Sequence, residues 1–121
     1  MTNTFIRLLR DGDPKTGMGP SDMTAQDCFT SSDKTELNHT FHANKDESIL
    51  SGVWECAPCR EEIDAYPVDE MMSVLSGSLT LTDADGKSEI FTAGDVFFIP
   101  KGTKVIWEIT ETLRKFYMIA T

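Results

Sequence analysis

The sequence predicts an all-β fold, a sandwich or barrel preceded by an irregular arm, and three observations carry that prediction. From Ser48 onward, short runs of β-branched, aromatic and aliphatic residues alternate at regular intervals with turn residues, as in a sandwich or barrel. Two turn signatures punctuate that region about twenty residues apart: Glu70 with Gly77, then Gly94-Asp95 leading to Pro100-Lys101-Gly102. Finally, Val96-Phe97-Phe98-Ile99 is apolar at every position, which predicts a strand covered on both faces and hence two packed sheets.

Taken in order, residues 1–46 are rich in Asp, Gly, Ser, Thr, Asn and Lys, and after Leu9 carry only isolated apolar residues. They read as an irregular arm with short strands, pinned by Phe5, Ile6 and Leu8 to the barrel or to a second copy of it. Residues 47–121 form the barrel. Its predicted strands are 49–56, 68–75, 78–82, 88–91, 96–99, 104–109 and 113–119, which leaves no room for helices. Leu79-Thr80-Leu81-Thr82 alternates as a half-buried strand, and Asp85-Gly86 supplies the positive φ angles of a tight hairpin. Pro100 ends its strand because it has no amide to donate.

At 121 residues the chain makes one domain, burying about two-thirds of the surface its unfolded form exposes. With 20 acidic and 11 basic residues its formal net charge is −9, which repels polyanions and makes nucleic acid an unsuitable partner. Arg7 and Arg10 interrupt the apolar start, so no run reaches signal-peptide or membrane-spanning length, and a cytoplasmic location without a membrane partner is expected. Three cysteines, an odd number without a secretory signal, predict free thiols, with Cys28 lacking an obvious partner.

The two turn signatures resemble the paired motifs of the cupin superfamily (RmlC-like jelly rolls). The second motif is Gly, five residues, Pro, one residue, Gly, two residues, His; Gly94, Pro100 and Gly102 match, but Val105 stands at the histidine. The first ends in Glu, six residues, Gly, matched by Glu70 and Gly77, while its His-x-His pair falls on Asp64 and Tyr66. The chain is most similar to the branch of the ureidoglycine aminohydrolase cupin domain and the ethanolamine-utilisation cupins, through Gly52-Val53-Trp54-Glu55, Asp69-Glu70, Trp107-Glu108 and Arg114-Lys115-Phe116-Tyr117. That resemblance implies a barrel around a small polar ligand. The aminohydrolases of the branch hold manganese through histidines this sequence does not supply, so no cofactor is expected, and a divalent cation would have Glu70 as its one retained motif ligand.

On this reading Glu70, Tyr66 and Lys115 are the candidate catalytic residues. Glu70, Met72 and Val74 share one face of their strand, and Val105, Trp107 and Ile109 share one face of theirs. If the match holds both sets line the barrel, where desolvation would raise the Glu70 pKa and suit it to acid/base work; the plainer alternative is a structural pair with Lys115 or backbone amides. An inward Lys115 needs an acidic partner, for which Glu70 is the natural choice. Trp54, Trp107 and Tyr117 are candidate aromatic walls of a ligand site, against the alternative of plain core. Asp64 and Tyr66 could orient a polar ligand, although Asp64 sits in Glu61-Glu62-Ile63-Asp64, which reads as a solvated loop.

Cys56-Ala57-Pro58-Cys59 has redox spacing, and with His39 and His42 it could be drawn as a zinc site. Without a βαβ context the redox reading is weak, and a turn at Pro58 with a thiol packed into the barrel is the simpler reading. Two functions follow: a cupin binding a compact polar metabolite, with an aminohydrolase-like activity in nitrogen-compound metabolism as its enzymatic form, or a non-catalytic ligand-binding or structural module. Both predict a homodimer, because jelly rolls leave sheet edges to cover.

Overall fold

The computed structural model describes residues 4–121. Its strands are β1 (Gly19–Pro20), β2 (Glu36–Ala43), β3 (Ile49–Cys56), β4 (Cys59–Ile63), β5 (Asp69–Thr82), β6 (Ser88–Thr92), β7 (Val96–Ile99) and β8 (Val105–Ala120), and one 3₁₀ turn spans Gln26–Cys28. The hydrogen-bonded order is β1-β2-β3-β8-β5-β6, with β4 added to β8 and β7 to β5. All pairings are antiparallel.

Two layers arise because β5 and β8 are long and bend together. The first half of β5 lies between β7 and the second half of β8, which continues into β3, β2 and β1. The second half of β5 lies between β6 and the first half of β8, which carries β4. Register shifts between Val74 and Leu79 mark the bend. Gly77 sits there at φ 88°, with its α-carbon against the Thr112 carbonyl where no side chain fits. This is a jelly-roll β-barrel, and the runs 68–75 with 78–82, and 104–109 with 113–119, are the two halves of β5 and β8.

Period-two alternation sets the interior. Met72, Val74, Leu79, Ile109 and Leu113 are almost fully buried and pack with Ile99, Val105, Trp107 and Tyr66. The small residues Cys56 and Cys59 complete this core near the bend.

Four expectations need correction. β7 is covered on one face only: Phe97 and Ile99 point inward, whereas Val96 and Phe98 are 62% and 53% exposed on the outer face. The stretch Glu61-Glu62-Ile63 is strand β4, paired with β8, and not a loop. Residues 36–43, placed in the irregular arm, form an eight-residue strand registered against β3. In the β5–β6 hairpin only Gly86 has positive φ, and the Asp83 amide donates to the Lys87 carbonyl, so a three-residue loop replaces the two-residue turn.

The segment before β2 is fastened by one buried carboxylate. Glu36 accepts hydrogen bonds from the Ser21 hydroxyl, the Met23 amide (3.0 Å), the Thr24 amide (2.8 Å) and the Trp54 indole (3.0 Å). Burial alone would raise its pKa, but these donors outweigh it and the net shift is downward. Among the described residues no helix is long and apolar enough to cross a membrane.

Candidate functional site

The inner faces of β3, β5 and β8 bring a lysine, a glutamate and two tryptophans together. Trp54 pairs with Lys115, Lys115 with Val74, and Met72 with Tyr117 across these strands, so alternation directs Trp54, Lys115, Met72 and Glu70 into the barrel. Lys115 Nζ donates to Glu70 Oε2 at 2.6 Å and lies 3.0 Å from Met72 Sδ. It also sits 4.8 Å and 4.9 Å from the ring centroids of Trp54 and Trp107, close enough for both π faces to share the ammonium's charge. The Lys115 and Glu70 side chains are each 6% exposed. The Tyr66 hydroxyl donates to Glu70 Oε1 at 2.7 Å.

Tyr66 reaches this point from the loop between β4 and β5, held by its amide on Thr103 O and its carbonyl on the Gly102 amide. The turn Pro100-Lys101-Gly102 therefore positions the phenol. Burial first, then the Glu70 charge, push the Tyr66 pKa far upward, so the hydroxyl stays a donor. Tyr117, one layer along β8, donates to Asn38 Oδ1 at 2.7 Å and lies 3.2 Å from the Thr40 hydroxyl. Its ring fits over Gly52, where a β-carbon would stand 2.6 Å from the phenol oxygen.

Of the residues singled out from the sequence, Glu70, Tyr66, Lys115, Trp54 and Trp107 form one cluster and Tyr117 adjoins it. Asp64 does not join: it is exposed just past the end of β4. His39 and His42 are also apart from the cysteines. They pair with Val53 and Ser51, on the face of β3 opposite Cys56, so the zinc drawing fails, and among the described residues no group of three or more ligating side chains could hold a metal. Cys56, Cys59 and Cys28 are free thiols. The hydrogen bond between the two buried thiols, ahead of burial, raises the pKa of Cys56 and lowers that of Cys59.

Reading Glu61 as part of a loop hid a further acidic group. Glu61 is registered opposite Trp107 and shares the inward face of β4 with buried Cys59. Burial, then the nearby Glu36 charge, raises its pKa. The signal that could have found it is the alternation of Cys59, Glu61 and Ile63 against Arg60 and Glu62.

The donor set does not fit the divalent metal that the cupin motifs usually carry. Both Glu70 oxygens are engaged, one by an ammonium and one by a phenol. A second cation there would face the Lys115 charge, and the remaining motif positions offer a valine and an exposed aspartate. The ammonium of Lys115 is instead the cation that the motif glutamate holds.

Residues 43–117 match the family model of the EutQ-like cupin domain. A protein of unknown function of the DUF861 family from Pseudomonas syringae pv. tomato is similar with a TM-score of 0.78 and 22% identity, over 90% of this chain and 46% of that one. The chain thus spans about half the length of that neighbour. A putative ethanolamine utilisation protein Q from Salmonella typhimurium has a TM-score of 0.60 and 25% identity, covering 71% of this chain and 69% of that one. The Clostridium difficile EutQ protein has a TM-score of 0.59 and 20% identity, covering 79% and 78%. No curated protein matches the chain. The match over most of the barrel, together with the jelly-roll topology and the retained glutamate, means that the chain belongs to the EutQ-like cupin family.

Proposed function

We propose that the barrel binds a compact polar metabolite at Lys115, Glu70 and Tyr66 without a metal. The observation that carries this reading is the buried Lys115–Glu70 pair itself. Such pairs add little stability relative to an apolar core, because desolvation offsets their attraction. A charged pair kept between two tryptophans is better accounted for by exchange: a ligand carboxylate or carbonyl takes Glu70's place on the ammonium, and a ligand N–H takes Lys115's place on the carboxylate.

The same groups suit C–N hydrolysis of a ureido or amide compound. Glu70 would accept a proton from water as the hydroxide adds to the carbonyl carbon, and Lys115 would hold the oxyanion. Glu70 would then return the proton to the departing amine, leaving a carboxylate or carbamate and free amine. The printed name of the Salmonella neighbour, an ethanolamine utilisation protein, agrees with a small nitrogen compound as the ligand class.

A second reading, a non-catalytic module, draws on the filled interior, since Met72, Val105, Trp107 and Ile109 are all buried. Thermal shift separates the two, using ureido compounds, amino alcohols and acyl amides on the wild type and Glu70→Ala, with ammonia release measured alongside. At a hundredfold excess over the dissociation constant a ligand adds about 2.7 kcal/mol, a shift of several degrees that Glu70→Ala should abolish. Stabilisation without ammonia release would favour the module, and no stabilisation by any compound would overturn ligand binding here.

A further inference from the structure

Four charged side chains stand around Trp54 and Trp107, and three of them are matched. Glu36 accepts the Trp54 indole N–H together with three donors from the segment before β2. Lys115 and Glu70 hold each other at 2.6 Å, and the Tyr66 hydroxyl donates to the second Glu70 oxygen. Glu61 is the exception. Among the described residues no side chain donates a hydrogen bond to it and no cation lies within ion-pair distance. Its neighbour Arg60 turns to the outer face of β4 and pairs with Glu62 at 3.5 Å.

The position of Glu61 makes this lack of a partner informative. It lies between Cys59 and Ile63, both packed with the core, on the inward face of β4. Trp107 is its register partner on β8, and side chains so paired have β-carbons about 5 Å apart. The Glu61 charge is felt by the Tyr66 phenol as well as by Glu36, so it faces the same space as the Lys115–Glu70 pair. Burial, then the Glu36 charge, raises the Glu61 pKa with no donor to offset them, the reverse of the outcome at Glu36. Glu61 and Trp54 are partly exposed, whereas Lys115 and Glu70 are buried. The lone carboxylate therefore stands on the solvent side of the site and the ion pair lies deeper.

We propose that Glu61 is a specificity-determining residue of the barrel, taking the ammonium group of an amine-bearing ligand beside the Trp107 ring. This rests on the reading of Lys115, Glu70 and Tyr66 as a ligand site and narrows the ligand class. The ligand carries a primary amine at one end and a ureido or amide group at the other. Its carbonyl and N–H reach Lys115 and Glu70, while its ammonium stays at Glu61. That ammonium supplies the donor Glu61 lacks, in a charge-assisted hydrogen bond roughly twice as strong as a neutral one, and the indole face favours the same charge. An anionic end would meet Glu61 and Glu36 as like charges. The formal net charge of −9 draws cationic ligands toward the protein in the same sense.

Calorimetric titration of the full chain with 2-aminoethylurea and 2-hydroxyethylurea at neutral pH tests this, because the two differ in charge but hardly in size. The wild type is expected to bind the amine at least about tenfold more tightly than the alcohol. Glu61→Gln keeps the side chain's size and removes its charge; it should weaken amine binding until the two compounds lie within about twofold of each other. Glu61→Asp should keep part of the preference. A structural role for Glu61 would weaken both compounds together and leave their ratio as in the wild type. That result overturns the proposal, as does a wild type that does not discriminate. In both cases, binding that Glu70→Ala abolishes would leave the ligand site itself standing. Binding of neither compound to the wild type overturns the site and the role of Glu61 together.

Discussion

Replacing Lys115 by methionine keeps much of the side chain's length and volume but removes the charge facing Glu70. At 2.6 Å and an effective dielectric constant of 20, the attraction lost is about 6 kcal/mol. Removing the ammonium's own desolvation cost returns part of this, so Lys115→Met should destabilise by about 3–5 kcal/mol, the usual result of stranding one member of a buried pair. For a chain of this length that is roughly a 10–20 °C fall in Tm. Glu70→Gln/Lys115→Met leaves no stranded charge, and the Gln carbonyl can still accept the Tyr66 hydroxyl. It should recover at least about 2 kcal/mol of the loss. Urea unfolding followed by tryptophan fluorescence suits this cycle, since Trp54 and Trp107 flank Nζ. A Lys115→Met loss below about 1 kcal/mol, or a double variant no better than the single one, would refute a tightly paired, dry ion pair.

Four further outcomes are expected. Because the folded pKa of Glu36 is depressed, its contribution is fully present above the ordinary glutamate value of 4.5 and is lost as pH falls through the lower folded value; Glu36→Gln should cost about 1–3 kcal/mol at neutral pH and flatten the acid limb of the stability profile. Hydrogen exchange at the Met23 and Thr24 amides, which Glu36 holds, should accelerate in the same variant, and unchanged protection would contradict the fastening role. Gly77→Ala should cost about 3 kcal/mol or more in urea titrations, because a β-carbon at φ 88° meets the Thr112 backbone, whereas Gly86→Ala, in open space, should cost about 1 kcal/mol. A thiol reagent should titrate Cys28 slowly in the native protein and all three cysteines after denaturation, since Cys56 and Cys59 are buried.

Much of the barrel was legible because its apolar positions alternate with the strand period. Ile49–Cys56 and Val96–Ile99 begin and end where the residue pattern predicts. β2 escaped notice because its inward positions are Glu36, Asn38 and Thr40, polar residues whose partners lie far along the chain: Ser21 and Trp54 for the first, Tyr117 for the other two. β4 escaped because Glu61 and Glu62 look equally solvated until the register against β8 turns one of them inward. Composition likewise cannot tell a strand covered on both faces from one whose outer face is bare, and for β7 that difference is the exposed Phe98.

In the candidate site, the faces of Glu70 and Lys115 follow from counting along β5 and β8. What counting could not reveal is that Lys115 lies between two tryptophans, since Trp54 and Trp107 come from opposite layers. Asp64 shows the converse limit: its motif position suggests the barrel, but the chain leaves β4 one residue earlier and the carboxylate faces solvent.

The central claim is that an internal ammonium, and not a metal ion, is the cation held by the motif glutamate. Elemental analysis of protein purified without added metal or chelator tests it most directly. The account predicts manganese, nickel, iron and zinc each far below one per chain, with Lys115→Met no richer in metal than the wild type. Near one equivalent of any of them in the wild type, lost in Glu70→Ala, would contradict it.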